Sequence, residues 1–395
     1  MQFCTPHKLL MKKKKIGLNL IALRSEKPSG VESFVRNLFE QLELNSQFRI
    51  SIALRRNLNV SDLLGREFLR LNREVEISHW FCGARTACRI LSEMLLLSVR
   101  FFNCDSILSA NNFGPLFGKP GQRRAIILYD VWFLDSRYDG PWINKIIFLI
   151  LIRIQLRQTH TVFTISEFSK QGIRASLGVR EEAILLLPFA MNIKKLKSDL
   201  ENNQRVSEVS RASQKSKSET PFFLLIGSDR KNKNVWKAVT GYVNFCKKFP
   251  EESRRLVVVG QYSCMFLEKL ESLFEMNAVF GVNVLGFVSR QEYVSLLEQA
   301  SGVVFLSSYE GLGIPVLEAV TAGKPVLVSK ETVCEEVAGP FGIGINSSDP
   351  AAIVDGYRKL ASVNVSDLDR SAHLEKYVDR RQGGELIKKF FGSSL

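Results

Sequence analysis

The chain has 395 residues, 45% of them hydrophobic and 24% charged. That is too long for one ordinary core and too apolar for disorder, so two globular domains are expected. A net charge of +14 implies an anionic partner, with nucleic acid, an anionic membrane face and phosphorylated substrates as the candidates. Seven cysteines without a C-x-x-C and four histidines without metal spacing argue against a structural zinc site and suit a reducing compartment. The lysines at 12–15 lead straight into a strand pattern, so no secretory signal is expected, and Met11 is a more natural start than Met1.

In chain order, residues 16–23 read as a strand, 24–30 as a loop and 31–44 as an amphipathic helix. Gly30 sits at the helix entrance, where a loop needing positive φ would also select glycine. Residues 45–115 alternate strand and helix patterns, including a basic, strongly apolar helix at 89–102, and such alternation argues for a parallel, doubly wound sheet. A buried strand at 125–128 ends in Tyr129-Asp130. Asp130 is placed either to cap the next loop or to bind ligand hydroxyls. The helix at 142–158 carries Ile146, Ile147, Phe148, Leu149, Ile150, Ile152 and Ile154 with Lys145, Arg153 and Arg157. A basic, apolar helix can lie in a membrane interface, but packing on the sheet is the expectation for most of its apolar face. Its longest clean apolar run, 146–152, is far too short to span a bilayer. Ser166 is placed to cap the following helix. From 194 to 220 the composition turns to Lys, Ser, Glu, Asn and Gln, as in a flexible linker or an insertion at the domain boundary.

A second domain opens with a strand at 221–226, then Gly227 and the basic loop S-D-R-K-N-K-N before a helix. A strand, a glycine and cations at a helix N-terminus make a phosphate site, with a solvated basic loop as the plainer alternative. The most informative stretch is 301–329: a strand, a small-residue loop holding Glu310, a short helix with Pro315 in its first turn and Glu318 inside it, then Gly323, Pro325 and another strand. Glu310 and Glu318 can each accept hydrogen bonds from hydroxyls, while the amides of Gly311 to Val316 and the positive helix end favour a diphosphate. Two hydroxyl acceptors around an amide nest suggest a nucleotide-sugar.

The string YEGLGIPVLEAVTAGKPVLVS resembles the signature of the large retaining glycosyltransferase family of GT-B fold, family 4 type, also called glycosyl transferases group 1. Glu310, Gly311, Gly313, Pro315, Glu318, Gly323 and Pro325 match, and Leu312 stands where Phe is usual. The resemblance implies an α/β fold of two Rossmann-like domains facing a cleft. The expected divisions are 1–195 for the acceptor side, 196–220 for a linker, 221–375 for the nucleotide-sugar domain, and 376–395 for a helix returning to the first domain. It implies that Glu310 contacts the transferred sugar, Glu318 the ribose, and the Gly311-Leu312-Gly313 loop the diphosphate. The G-S-x-x-x-x-K-N loop from Gly227 aligns Lys233 with the family's lysine, leaving Arg230 as second cation. Phe287 falls in the region beside the base, and Gly30 takes one position of a glycine pair near the diphosphate or acceptor. Tyr129 replaces the His common before Asp130, on the acceptor side; a phenol can hydrogen-bond a sugar oxygen but shuttles protons poorly at neutral pH.

The implied reaction moves a hexose from a nucleotide-diphosphate sugar to a glycan or lipid-linked acceptor, with retention and with neither cofactor nor metal. Bacterial cell-surface polysaccharide or lipopolysaccharide assembly is the expected setting, and mannose leads the candidate sugars. Glu310, Lys233, Arg230 and Asp130 are the expected catalytic group, through binding and electrostatics rather than a covalent nucleophile. The positive charge suits a cytoplasmic enzyme held peripherally at an anionic membrane face. Two other classes stand beside this one. A nucleotide-sugar epimerase of the same fold requires a cluster of acids or a histidine in the first domain, and none is apparent. A basic membrane- or nucleic-acid-binding module has only the charge in its favour, without an aromatic-basic platform, so no nucleic-acid partner is expected.

Overall fold

The computed structural model describes residues 13–24, 30–40, 42–44, 47–80, 86–135, 141–187, 196, 198, 221–277, 281–366, 369–378 and 380–392. The expected N-terminal extension, most of the 24–30 loop and nearly all of the 196–220 linker lie outside these residues.

Two fully parallel sheets form the frame. The first contains β1 (Lys14–Asn19), β2 (Phe48–Arg55), β3 (Val75–Trp80), β4 (Ser106–Ser109), β5 (Arg123–Ile127), β6 (Thr161–Thr164) and β7 (Ile184–Leu186), in the order β3-β2-β1-β4-β5-β6-β7. The second contains β8 (Phe222–Ser228), β9 (Arg255–Gln261), β10 (Val282–Gly286), β11 (Gly302–Phe305), β12 (Val326–Ser329) and β13 (Gly342–Ile345), in the order β10-β9-β8-β11-β12-β13. Helices cover both faces, so central strands are continuous apolar runs: Val303 and Val304 of β11, and Val326 and Leu327 of β12, are all fully buried. Ile16 pairs with Ile50, and Val303 with Val326. Strand order reverses at β1/β4 and at β8/β11, and crevices at the carboxyl ends of such pairs are where open α/β sheets bind ligands.

The last helix, Arg380–Gly392, packs on the first sheet. Phe391 meets Phe48 edge-on at 5.9 Å and Phe390 meets Phe163 at the same spacing. Arg123 lies 4.7 Å over the Phe390 ring and donates to the Phe390 carbonyl.

Several elements differ from the sequence reading. The 16–23 strand ends at Asn19, because Leu20 to Leu23 turn out of the sheet while staying buried. The first helix, Gly30–Phe39, stops short of residue 44. The Trp142–Arg157 helix does not pack as expected. Ile152 and Gln155 are buried and Phe148 packs edge-on against Phe113 and at a tilt against Phe133, yet Trp142, Ile143, Ile146, Ile147, Ile150 and Ile154 are exposed. Apolar residues surround this helix, and a sheet covers only one side of it. No helix among the described residues is long and apolar enough to cross a membrane.

The helix expected at 89–102 is broken by a π turn, Ser92–Leu96, which carries Glu93 into the interior. Neither Glu93 carboxylate oxygen has a hydrogen-bond partner among the described residues, and the Arg89 Nε stands 3.9 Å away. Burial pushes the Glu93 carboxyl up to about 7, against the opposing pull of Arg89 and Arg55. A carboxyl with a raised folded pKa destabilises the fold only when ionised, so the cost starts above the unfolded value near 4.5 and is complete above 7. Its full size is on the order of 3 kcal/mol. Glu93→Gln is therefore expected to raise the melting temperature clearly at pH 8 and little at pH 5; an equal shift at both would count against a buried ionised carboxyl.

Candidate functional site

The loops after β8 and β11 are fastened to one another. The β8 loop closes in a turn, Lys231–Lys233, followed by Asn234 at φ 50°, a left-handed conformation that Asn tolerates better than most residues. Asn234 Nδ2 donates to the Leu306 carbonyl (2.9 Å) and Asn232 Nδ2 to that of Tyr309 (3.2 Å). In return the Ser308 amide donates to the Asn232 carbonyl at 2.8 Å. This lacing brings Lys233 Nζ into an ion pair with Glu310 Oε1, both side chains about four-fifths buried, at 20% and 19% exposed. The ammonium also lies 5.2 Å from the Phe305 ring centroid.

Just beyond, Gly313 begins the Ile314–Thr321 helix at φ 80°. A Cβ there would meet Cys334 Sγ at 3.1 Å, so both the backbone and the space select glycine. Pro315 fits the first turn, whose amides lack intrahelical acceptors and aim a positive helix end at the cleft. Leu312 turns its side chain into the core, leaving the loop only its backbone there.

One turn further, Glu318 is only 8% exposed and both its oxygens are engaged. Arg290 Nη1 donates to Oε1 at 2.6 Å and the Tyr293 hydroxyl to Oε2 at 2.8 Å. These partners stand on the Arg290–Gln299 helix, whose start is fixed by a capping box between Ser289 and Glu292. A carboxylate has about four lone-pair sites, so the two bonds leave acceptor capacity for hydroxyls. Arg290 and Tyr293 escaped the sequence reading; their i, i+3 spacing puts both on one helix face, but nothing in the sequence ties that face to Glu318. Phe287, beside Gly286 at the end of β10, is 84% exposed, an unusual position for a phenylalanine.

The first domain meets this arrangement directly. A Cβ on Gly30 would lie 3.0 Å from the Ile314 side chain, so the starts of the Gly30–Phe39 and Ile314–Thr321 helices face each other closely. Asp130 reaches Gly311, where an added Cβ would stand 3.4 Å from Asp130 Oδ2. Its Oδ1 accepts from the Trp132 amide at 2.9 Å. Burial raises the Asp130 pKa, partly offset by that amide, and the charge of Glu310 raises it further. The Val131 amide donates to the Tyr309 hydroxyl at 2.9 Å, and the Tyr309 ring packs between Trp132 and Phe168. Ser166 caps its helix through the Ser169 amide and also donates to the Gly311 carbonyl at 3.3 Å. Glu336 accepts from the Phe168 amide at 2.9 Å, at the same helix start.

The remaining expected residues fall elsewhere. Tyr129 is buried edge-on against Phe34 (5.7 Å) and donates its hydroxyl to the Ala110 carbonyl at 3.1 Å. That phenol is engaged in packing rather than presented to the cleft. Gly227 has a packing reason, since a Cβ would come within 2.4 Å of Val235 Cγ2. Arg230 is exposed at the entrance of the Lys231–Lys233 turn. Glu310, Lys233, Gly311, Gly313, Asp130 and Gly30 are thus gathered at the junction of the two switch points, and Glu318 lies one helical turn behind them.

Residues 206–378 match the family model of glycosyl transferases group 1. That match covers under half of the chain, chiefly the second domain, and it is this part that is similar to the family. The chain's two facing parallel sheets are the GT-B fold, and the crystal structure of WaaG, a glycosyltransferase involved in lipopolysaccharide biosynthesis, superposes with a TM-score of 0.63 at 16% identity, over 96% of this chain and 100% of that one. Among curated proteins, the O-antigen chain mannosyltransferase RfbU of Salmonella typhimurium is 24% identical over 65% of this chain and 64% of its own. The O-antigen chain mannosyltransferase B of Escherichia coli is 30% identical over 33% of this chain and 34% of its own. The chain thus spans less than two thirds of the length of the curated relatives it matches.

Replacing the glycine that opens the Ile314–Thr321 helix tests how far the loop depends on its left-handed turn. Gly313→Ala is expected to cost about 1–2 kcal/mol in urea unfolding. An unchanged midpoint would mean that the turn accommodates a side chain.

Proposed function

We propose that the protein is a retaining glycosyltransferase that moves a hexose, with mannose foremost, from a nucleotide-diphosphate sugar to a glycan or lipid-linked acceptor. The work belongs to O-antigen or related lipopolysaccharide assembly at the cytoplasmic membrane face, and it proceeds without a metal ion. The observation that carries this reading is the Lys233–Glu310 pair at the start of the Ile314–Thr321 helix, opposite Asp130 and Gly30. The names of the two curated relatives support the sugar and the setting.

The parts divide as follows. The first-turn amides and Lys233, with Arg230 at the rim, hold the diphosphate and balance the charge that builds on it as it leaves. Glu310 accepts from hydroxyls of the transferred sugar, and Glu318, oriented by Arg290 and Tyr293, from the ribose diol. Phe287 offers its face to the base. Asp130, its pKa raised by burial, hydrogen-bonds a sugar or acceptor hydroxyl. The acceptor oxygen bonds to the anomeric carbon on the face from which the diphosphate departs. The carbon–oxygen bond to phosphate breaks, and the acceptor's proton passes to the leaving phosphate oxygen. No protein nucleophile is required.

A lipid-linked acceptor fits the first domain. The exposed stripe of the Trp142–Arg157 helix, about 24 Å long at 1.5 Å per residue, suits insertion at a membrane surface. Leu91, Leu95, Val99 and Phe117 add exposed apolar surface on neighbouring segments.

The donor site is tested by thermal shift with GDP, UDP, dTDP and ADP in EDTA. A nucleotide at a hundred times its dissociation constant stabilises by ~2.7 kcal/mol, and Lys233→Ala is expected to abolish that gain. Turnover with the matching nucleotide-sugar should fall in the variant by on the order of 100-fold or more, and the product linkage should keep the donor's anomeric configuration. Failure of every nucleotide to bind in EDTA, or an inverted product, would sink the corresponding part of the reading.

A further inference from the structure

Far from the cleft, at the end of the first sheet where β5 and β6 begin, lies a cavity of about 760 Å³. Arg123, Arg153, Arg157, Arg180 and His160 line it, and among the described residues its lining contains no carboxylate. Among the described residues no acidic side chain pairs with Arg153, Arg157 or Arg180; Glu181, adjacent to Arg180 in the chain, is held by Lys170 and Arg174. Burial, and then the charges of Arg124 and Arg123, hold the His160 pKa below its ordinary value. Arg153, Arg157 and Arg180, like charges converging on one concavity without a described acidic partner, repel one another and attract an anion. Guanidinium groups match phosphate oxygens with paired hydrogen bonds.

The cavity is continuous with the exposed stripe. Arg153 and Arg157 stand one turn apart on the Trp142–Arg157 helix, each three residues beyond an exposed isoleucine of the stripe, Ile150 and Ile154. They therefore share the solvent-facing side of the helix. Leu156, Leu177 and Val179 give the cavity apolar walls beside its cations. A single basic concavity with apolar walls, at the end of an apolar stripe, suits one phosphate attached to a hydrocarbon better than an extended polyanion.

We infer that this cavity is a binding site for the phosphate of an anionic phospholipid, fixing the C-terminal end of the helix at the membrane that the stripe enters. The inference rests on the membrane contact proposed above and adds a defined headgroup site to it.

Co-sedimentation of the full chain with vesicles tests it, using phosphatidylcholine alone or mixed with phosphatidylglycerol. Wild type should prefer the mixed vesicles. Arg153→Gln/Arg157→Gln should lower binding to them by on the order of 30-fold, while keeping the weak binding to phosphatidylcholine. Ile147→Ser/Ile150→Ser should lose binding to both. Lys269→Gln/Lys359→Gln, which removes two exposed charges from the second domain, should leave the preference intact. If that control falls as far as the arginine variant, or the arginine variant keeps its preference, the headgroup site is overturned. If wild type binds neither vesicle, the membrane contact itself fails. Thermal shift with glycerol phosphate then separates the remaining cases. A shift lost in the arginine variant means a site for a soluble phosphate ester and overturns the lipid assignment, whereas no shift overturns the site altogether.

Discussion

The arrangement depends on the lacing between the β8 and β11 loops. Lys233 has a flexible stem, and Glu310 sits on a loop of small residues, so neither would hold a fixed position alone. The two asparagine side chains, Asn232 and Asn234, replace what a regular ladder would otherwise supply: they satisfy the carbonyls of Tyr309 and Leu306 and set the register between the loops. Once that register is set, the ion pair, the glycine turn at Gly313 and the helix start follow in order. The same loop carries Tyr309, which fastens the first domain through the Val131 amide. One short segment thus governs both the charges at the cleft and the approach of its opposite wall.

Much of this was legible in the sequence because it is local. The glycine, proline and glutamate spacing from Glu310 to Pro325 encodes a turn and a helix start whose demands are backbone demands, and Lys233 could be found by counting along one loop. What stayed hidden is long-range. Arg290 and Tyr293 reach Glu318 across 28 and 25 residues, through the packing of two helices. Tyr129 could be placed at the end of its strand, but whether its ring pointed to the cleft or the core depended on Phe34 and Ala110, which approach from other elements. The Trp142–Arg157 helix is apolar on every side, so its periodicity carried no information about which side faces solvent. The π turn at Ser92–Leu96 has no local signature of this kind, and with it the burial of Glu93 was unreadable.

The second domain places its functional side chains on loops and helix starts at the carboxyl ends of its strands, while the first presents Gly30 and Asp130 from equivalent places on its own sheet. The two walls differ in character. The second supplies charge: an ammonium, two carboxylates and a helix end. The first, apart from Asp130, supplies mostly backbone and apolar surface close to the opposing helix. This asymmetry suits a ligand held mainly by one domain and completed by the other.

The final helix has a consequence for how such proteins exchange parts. Sequence order suggests that the two halves could be recombined between relatives by a single cut in the segment that joins them. Phe390 and Phe391, however, rest on Phe163 and Phe48 of the first sheet, so the end of the chain is structurally a piece of its beginning. A hybrid made with one crossover would press a foreign tail onto these rings and the Arg123 guanidinium. A workable hybrid needs two crossovers, the second ahead of residue 380, so that the tail travels with the half it completes.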